Sequence, residues 1–151
     1  MMEEYPEDEA DEEEILEIQK LKSRLLNELG EGGWGAIHYA VFCNRPEILS
    51  ELLKRGVDIN KCTSDGWLPL QLAINRKNHE VVRILLFDSG VRVNESTSKG
   101  SPLHIACKLG CLECIEALLK KGADWKNLDD KSKNCLETCI SKESQDLITR
   151  Y

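Results

Sequence analysis

The sequence lacks any apolar run approaching the roughly 20 residues that cross a bilayer, so no membrane association is expected. It also lacks a basic-then-apolar leader. Its first residues, "MMEEYPEDEADEEE", are acidic, which places the chain in the cytoplasm or nucleus. An even cysteine count is missing too: seven cysteines without an export signal point to reduced thiols rather than a disulfide framework. No G-x-S-x-G elbow occurs, and no carboxylate pair sits in an apolar context. The glycine-rich "GEGGWG" at 30–35 is followed by no Lys-Ser/Thr, so it is a linker and not a phosphate cradle. No catalytic residue and no cofactor is therefore expected.

Residues 1–14 contain no Lys or Arg but nine carboxylates (Glu3, Glu4, Glu7, Asp8, Glu9, Asp11, Glu12, Glu13 and Glu14). They account for more than the whole net charge of −7, since the remainder carries 18 acidic against 20 basic residues, near +2. This block is a separate object, an acidic disordered tail. A sharper alternative has it folding back on Lys99, Lys108, Lys131 and Lys133, an attraction screened beyond about 8 Å in physiological salt. In the rest of the chain the basic residues are interleaved with acids, so direct nucleic-acid binding is not expected.

What is present is a period. Ala40, Ala73 and Ala106 recur every 33 residues, as do Leu52-Leu53, Leu85-Leu86 and Leu118-Leu119. The first set lies in "GWGAIHYA", "GWLPLQLA" and "KGSPLHIA"; after the second come "LLKRGVDIN", "LLFDSGVRVN" and "LLKKGADWK". The middle unit gains one residue before Gly90 and loses one before Pro102, and a weaker fourth copy begins at "SKNCLETC". Each unit reads as two short helices and a turn. Pro69 and Pro102 suit a first helical turn. The first helix, such as Leu70 to Lys77, carries small inner residues. The second, such as Glu80 to Phe87, is apolar at 81, 82, 84, 85 and 86. Gly56, Gly90 and Gly122 would stop it in the left-handed conformation, and Asp58, Asn60, Asp65 and Gly66 have hairpin chemistry. No unit buries its apolar face alone, so the units must stack.

"SPLHIA" at 101–106, "LPLQLA" at 68–73 and "GAIHYA" at 35–40 resemble the T-P-L-H-x-A signature of ankyrin repeats. The chain is thereby identified as a member of that family over residues 30–151, with repeats at about 30–62, 63–95 and 96–128 and a partial one at 129–151. The resemblance implies an all-α solenoid of stacked helix-turn-helix units joined by hairpin loops. Gln71 departs from the signature histidine, Ala36 from the proline, and Cys135 and Glu137 from both, which weakens individual bonds or caps. "ILEIQKLKSRLLNELG", with an apolar stripe at 15, 18, 21, 25, 26 and 29, is read as an N-terminal capping helix over 15–29; a coiled-coil seam is the alternative. "ESQDLITRY" stops midway through the expected last helix, as a frayed repeat or a cut from a longer protein would.

The resemblance gives His104, and His38 two units earlier, the role of tying a helix start to the neighbouring hairpin. A nucleophile–base pair with Cys107 would have no reason to recur with the period. Cys107, Cys111 and Cys114 fall at i, i+4 and i+7, and Cys135 and Cys139 follow, but Gly110 interrupts the first group. Cys139 also occupies the small-residue slot of Ala40, Ala73 and Ala106, where cysteine acts as a small hydrophobe. No metal site is expected.

What remains is a surface, and the resemblance implies that partners bind its concave groove and hairpin tips. Trp34 and Trp67, 33 apart, should lie side by side at adjacent hairpin ends, with Phe42 close to Trp34; the alternative is that each indole packs over its own hairpin. Ser64 and Asp65 at a hairpin tip, and Asn75 and Arg76 at a first-helix end, extend the surface. Lys99, Lys108, Lys131 and Lys133 make its later half basic. Trp125 is assigned to the interior. The expected function is a non-catalytic protein-interaction module: an adaptor or scaffold, or an inhibitor of the kind that ankyrin inhibitors of cyclin-dependent kinases exemplify. Alternatives are a targeting domain of a longer enzyme or channel, and a structural subunit of a cytoskeletal or transcriptional assembly. The chain is expected to be a monomer or part of a hetero-complex.

Overall fold

The computed structural model describes residues 30–151; the acidic tail and the proposed capping helix lie outside the described residues. After a short 3-10 turn at Glu31–Gly33 come four helix pairs. They are α1 (Ala36–Phe42) with α2 (Pro46–Lys54), α3 (Pro69–Asn75) with α4 (His79–Phe87), α5 (Pro102–Leu109) with α6 (Leu112–Lys120), and α7 (Cys135–Thr138) with α8 (Lys142–Thr149). Helices of four to nine residues do not persist alone in water, so tertiary contact must hold them. Each packs on its own partner and on its counterpart in the next pair. First helices thus form one layer (α1, α3, α5, α7) and second helices another (α2, α4, α6, α8). Among the described residues there is no strand; the hairpin loops contribute one isolated bridge, Thr97 with Gly100.

The core runs continuously between the layers. Ala40, Ala73 and Ala106 are buried where first helices approach one another. Leu49 and Leu52, Val81, Val82, Leu85 and Leu86, and Ile115, Leu118 and Leu119 are the buried stripes of the second helices. Pro46, Pro69 and Pro102 occupy first helical turns, where the absent N–H costs nothing.

Two expectations need correction. Gly56 and Gly122 leave their helices at φ +81° and +88°, but Gly90 has no positive φ. The residue inserted in that repeat lets Asp88 leave α4 in an extended conformation, and its carboxylate accepts the Gly90 N–H at 2.8 Å. In the last repeat α8 is eight residues long and buries Ser144 and Ile148. Its first helix is the short one. α7 ends at Thr138, so Cys139 becomes an extended C-cap and is only half-buried, unlike the alanines at its repeat position.

Candidate protein-binding surface

The hairpins are closed by local bonds that fix their tips. The Thr63 N–H donates to the Trp67 carbonyl at 3.0 Å, and the Thr63 hydroxyl accepts the Trp67 N–H at 3.1 Å. This leaves Ser64 and Asp65 exposed at the tip. The Ser64 N–H reaches back to the Gly32 carbonyl at 2.8 Å, docking one hairpin on the loop before it. In the last hairpin Asp129 Oδ1 accepts the N–H groups of both Lys131 and Lys133 at 2.9 Å, which presents their side chains outward. Those bonds, that from Lys133 foremost, hold the Asp129 carboxyl below the usual carboxylate range.

Each hairpin is tied to a helix by the side chain at the signature position. His38 accepts the Gly35 N–H on Nδ1 at 3.0 Å, and its Nε2 meets the Lys61 carbonyl at 2.7 Å. His104 does the same with the Ser101 N–H at 3.3 Å and the Lys133 carbonyl at 3.0 Å. Gln71 accepts the Leu68 N–H at 3.1 Å and donates to the Gly100 carbonyl at 2.7 Å. Glu137 accepts the Asn134 N–H at 2.7 Å. The departures from histidine therefore keep the capping bond. At the His104–Cys107 pair both imidazole nitrogens are engaged and both residues are fully buried; hydrogen bonding with Cys135, followed by burial, pushes the Cys107 thiol up.

On the outer side of this scaffold sits an aromatic cluster. Trp34 lies 5.3 Å from Tyr39 and 5.5 Å from Phe42 between ring centres, the latter edge-on at 77°. The Arg76 guanidinium covers the Phe42 ring at 4.2 Å, linking the ends of α1 and α3. Tyr39 and Phe42 remain 50% and 40% exposed although they contact one another's neighbour, Trp34. In the next hairpin Lys99 Nζ lies 5.3 Å above the Trp67 ring.

Matching sequence models describe the same repeat. The family model for ankyrin repeats (3 copies) matches residues 12–97 and 37–129. The chain belongs to the ankyrin-repeat family. It is similar to human transient receptor potential cation channel subfamily A member 1, 34% identical over 100 residues, covering 66% of this chain and 9% of that protein. It is 28% identical over 133 residues to the target of rapamycin complex 2 subunit AVO2 of Saccharomyces cerevisiae, covering 83% of this chain and 31% of the relative. With the probable 26S proteasome regulatory subunit p28 of the same yeast it shares 33% identity over 104 residues, covering 67% and 45%. The chain thus spans less than half the length of each of these relatives. Ankyrin repeats are units of protein–protein interaction, and no helix among the described residues is long and apolar enough to cross a membrane.

Of the ankyrin-repeat surface anticipated from sequence, three pairs come together: Trp34 with Phe42, Phe42 with Arg76, and Trp67 with Lys99. Asn75, Lys108, Lys131 and Lys133 are exposed. No ring contact joins Trp34 to Trp67 among the described residues; each half-buried indole has partners of its own. Trp125 is half-buried rather than interior, with Lys126 Nζ 5.6 Å above its ring. Tyr39 was missed. Its signal was there in the spacing: 39 and 42 are one helical turn apart on α1, so both project toward the indole that precedes the helix.

Proposed function

We propose that this chain is a non-catalytic binding module that holds a partner protein along its hairpin tips and first-helix face. The observation that carries the reading is the half-exposed cluster of Trp34, Tyr39 and Phe42 under Arg76. Aromatic and arginine side chains dominate binding energy at protein interfaces, and a rigid cluster loses little entropy when it is covered. Trp67, Ser64, Asp65 and Asn75 continue the surface. Lys99, Lys108, Lys131 and Lys133 supply positive charge farther along, which suits an apolar anchor followed by an acidic stretch in the partner. The chain acts in the cytoplasm or nucleus, as a monomer or within a hetero-complex.

A second reading has an observation in its favour. The relatives named above are a channel and subunits of assemblies, and the chain matches only a part of each. The same surface would then serve as the docking segment of a larger protein or complex.

The test is crosslinked capture from native extract with the wild type, a Tyr39→Ala/Phe42→Ala variant, and Phe87→Ala. Phe87 is 88% exposed on a second helix and serves as the control. Partners should survive Phe87→Ala and be lost with the double variant. Affinity for the recovered partner should fall roughly 30-fold for each anchor that contributes about 2 kcal/mol. Partners retained by the double variant, or lost equally with the control, would refute the assignment of this face.

A further inference from the structure

Away from the proposed binding face, the second-helix layer carries a cluster that the interaction function does not use. Cys111 is the N-cap residue of α6 and Cys114 lies in its first turn, a C-x-x-C spacing that turns both sulfurs to one side. Both are buried, and the sulfurs lie 2.7 Å apart. The third member comes from the preceding repeat. His79 opens α4, and one of its ring nitrogens and the two sulfurs all lie within 4.8 Å of one another. His79 Nδ1 is 2.6 Å from Glu113 Oε2. A cavity of about 270 Å³, lined by His79, Cys114, Glu113, Glu116, Arg83 and Lys120 among others, adjoins the cluster.

We infer that His79, Cys111 and Cys114 form a site for a thiophilic divalent cation of the Zn²⁺ type, bracing the second repeat against the third. Two thiolates and one imidazole are a zinc donor set, and tetrahedral binding asks for ligand atoms about 3.3–3.8 Å apart. The sulfurs need to open by roughly 1 Å and the imidazole to close by a similar amount, which side-chain rotation supplies. The charges balance. Each thiol releases its proton to solvent, and two thiolates, a neutral imidazole and a dication make a neutral centre that is tolerable in a buried place. The amino end of α6 favours the thiolates. Glu113 plays the part of an outer carboxylate: accepting the Nδ1 proton, it fixes the tautomer that leaves Nε2 with a lone pair. The fourth position falls to water, for which the adjoining cavity has room. A disulfide between Cys111 and Cys114 is the competing fate of the same thiols, but it gives no reason for a histidine from another repeat to converge on them. The inference departs from the sequence reading, in which no cysteine group bound metal. Counting cysteines could not reveal a histidine 32 residues upstream.

The experiment titrates Co²⁺ and Zn²⁺ into the reduced full chain on a Cys43→Ser/Cys62→Ser background, which removes the exposed thiols. One Co²⁺ per chain should bind with tetrahedral ligand-field bands and a thiolate charge-transfer band. Cys114→Ser should weaken the charge-transfer band, His79→Asn should shift the ligand-field bands, and Glu113→Gln should weaken affinity by roughly 10- to 100-fold. Zn²⁺ should raise the thermal midpoint of the background protein and not that of His79→Asn. Should Cys114→Ser fail to fold, the two partly exposed positions, 79 and 113, still decide. Absence of tetrahedral Co²⁺ binding overturns the inference. So do identical spectra and affinities in His79→Asn and Glu113→Gln, or a Cys111–Cys114 disulfide whose reduction yields no metal binding. None of these results bears on the aromatic face, and failure there would leave this site intact.

Discussion

Gln71 donates from Nε2 to the carbonyl of Gly100 at 2.7 Å, making in the second repeat the reach that His104 makes to Lys133 at 3.0 Å in the third. The two bonds span the same 29 residues of chain. An amide and an imidazole are interchangeable here because both offer one acceptor and one donor on opposite sides of a flat group. The protein therefore contains its own control for the ionisation of its buried histidines.

His38 and His104 should respond to pH in opposite directions. At His38 burial lowers the pKa, against a smaller upward pull from the Lys61 carbonyl, and protonating Nδ1 would oppose the Gly35 N–H. Below its ordinary value of 6.5 the unfolded chain takes up the proton first. The stability contributed by His38 is thus complete above that value and is lost as pH falls through the lower folded pKa. At His104 burial also acts downward, but the Cys135 side chain and the Lys133 carbonyl outweigh it and the net shift is upward. The Ser101 hydroxyl, 2.6 Å from Nδ1, can turn to accept a proton there. Its contribution is complete below 6.5 and is lost as pH rises through the raised value. Urea midpoints measured from about pH 5 to about pH 8 should lose their acid-side decline in His38→Gln and their alkaline-side decline in His104→Gln. Parallel pH profiles for wild type and both variants would contradict this.

The 33-residue period was readable because stacking repeats the same burial demand: alanine where first helices approach, leucine on the second helices, proline at their starts. Such a pattern places residues along the array and says little about which way an exposed ring turns. Trp34 and Trp67 share a repeat position, yet Trp34 turns to Tyr39 and Phe42 while Trp67 sits under Lys99. Gly90 escaped for a related reason. A one-residue insertion hands the helix stop to the Asp88 carboxylate, which no glycine spacing can signal. The anticipated tail and capping helix fall on residues outside those described.

Replacing Gly66 tests how closely successive hairpins nest. Its φ is +85°, and an added Cβ would stand 2.5 Å from Ser98 Oγ of the next hairpin. The left-handed backbone alone costs roughly 1–2 kcal/mol for a residue with a Cβ. Gly66→Ala should therefore lower unfolding stability by at least that amount. Adding Ser98→Gly should recover the collision while leaving the backbone cost. Full recovery by the second change would mean that the left-handed conformation contributes nothing.

Two asparagines act between repeats: Asn60, for which the sequence suggested only hairpin chemistry, and Asn94. Asn60 donates to the Gly90 carbonyl at 2.8 Å and accepts the Arg92 N–H at 3.0 Å. Asn94 bonds the Gly122 carbonyl at 3.2 Å and the Asp124 N–H at 2.7 Å. Asn60→Ala and Asn94→Ala should each lower stability by about 1 kcal/mol. Because they serve different junctions of a one-dimensional array, the two losses should add in the double variant. Chemical denaturation of the three variants checks both statements; strong non-additivity would show that the junctions are not independent.

Thiol labelling separates access from acidity. Hydrogen bonding from Cys107, with further help from His104, outweighs burial and pushes the Cys135 thiol down to about 6, so at neutral pH it is the most thiolate-like of the shifted cysteines. It is also fully buried. Cys62 has the opposite combination: it is exposed, but partial burial and the Glu95 carboxylate push its thiol up. Alkylation needs a thiolate and a path for the reagent, and a closed core blocks the path whatever the charge. In the native protein, exposed Cys43 and Cys62 should label first and half-buried Cys139 later. Cys107, Cys111, Cys114 and Cys135 should label only at the rate of local opening. Raising the pH should speed Cys62 markedly and leave Cys135 almost unchanged, because opening and not ionisation limits the latter. Time-resolved peptide mapping by mass spectrometry reads all seven positions at once. Early modification of Cys135 would mean that the junction between the third and fourth repeats opens readily. The short α7 would then be the weak end of the stack.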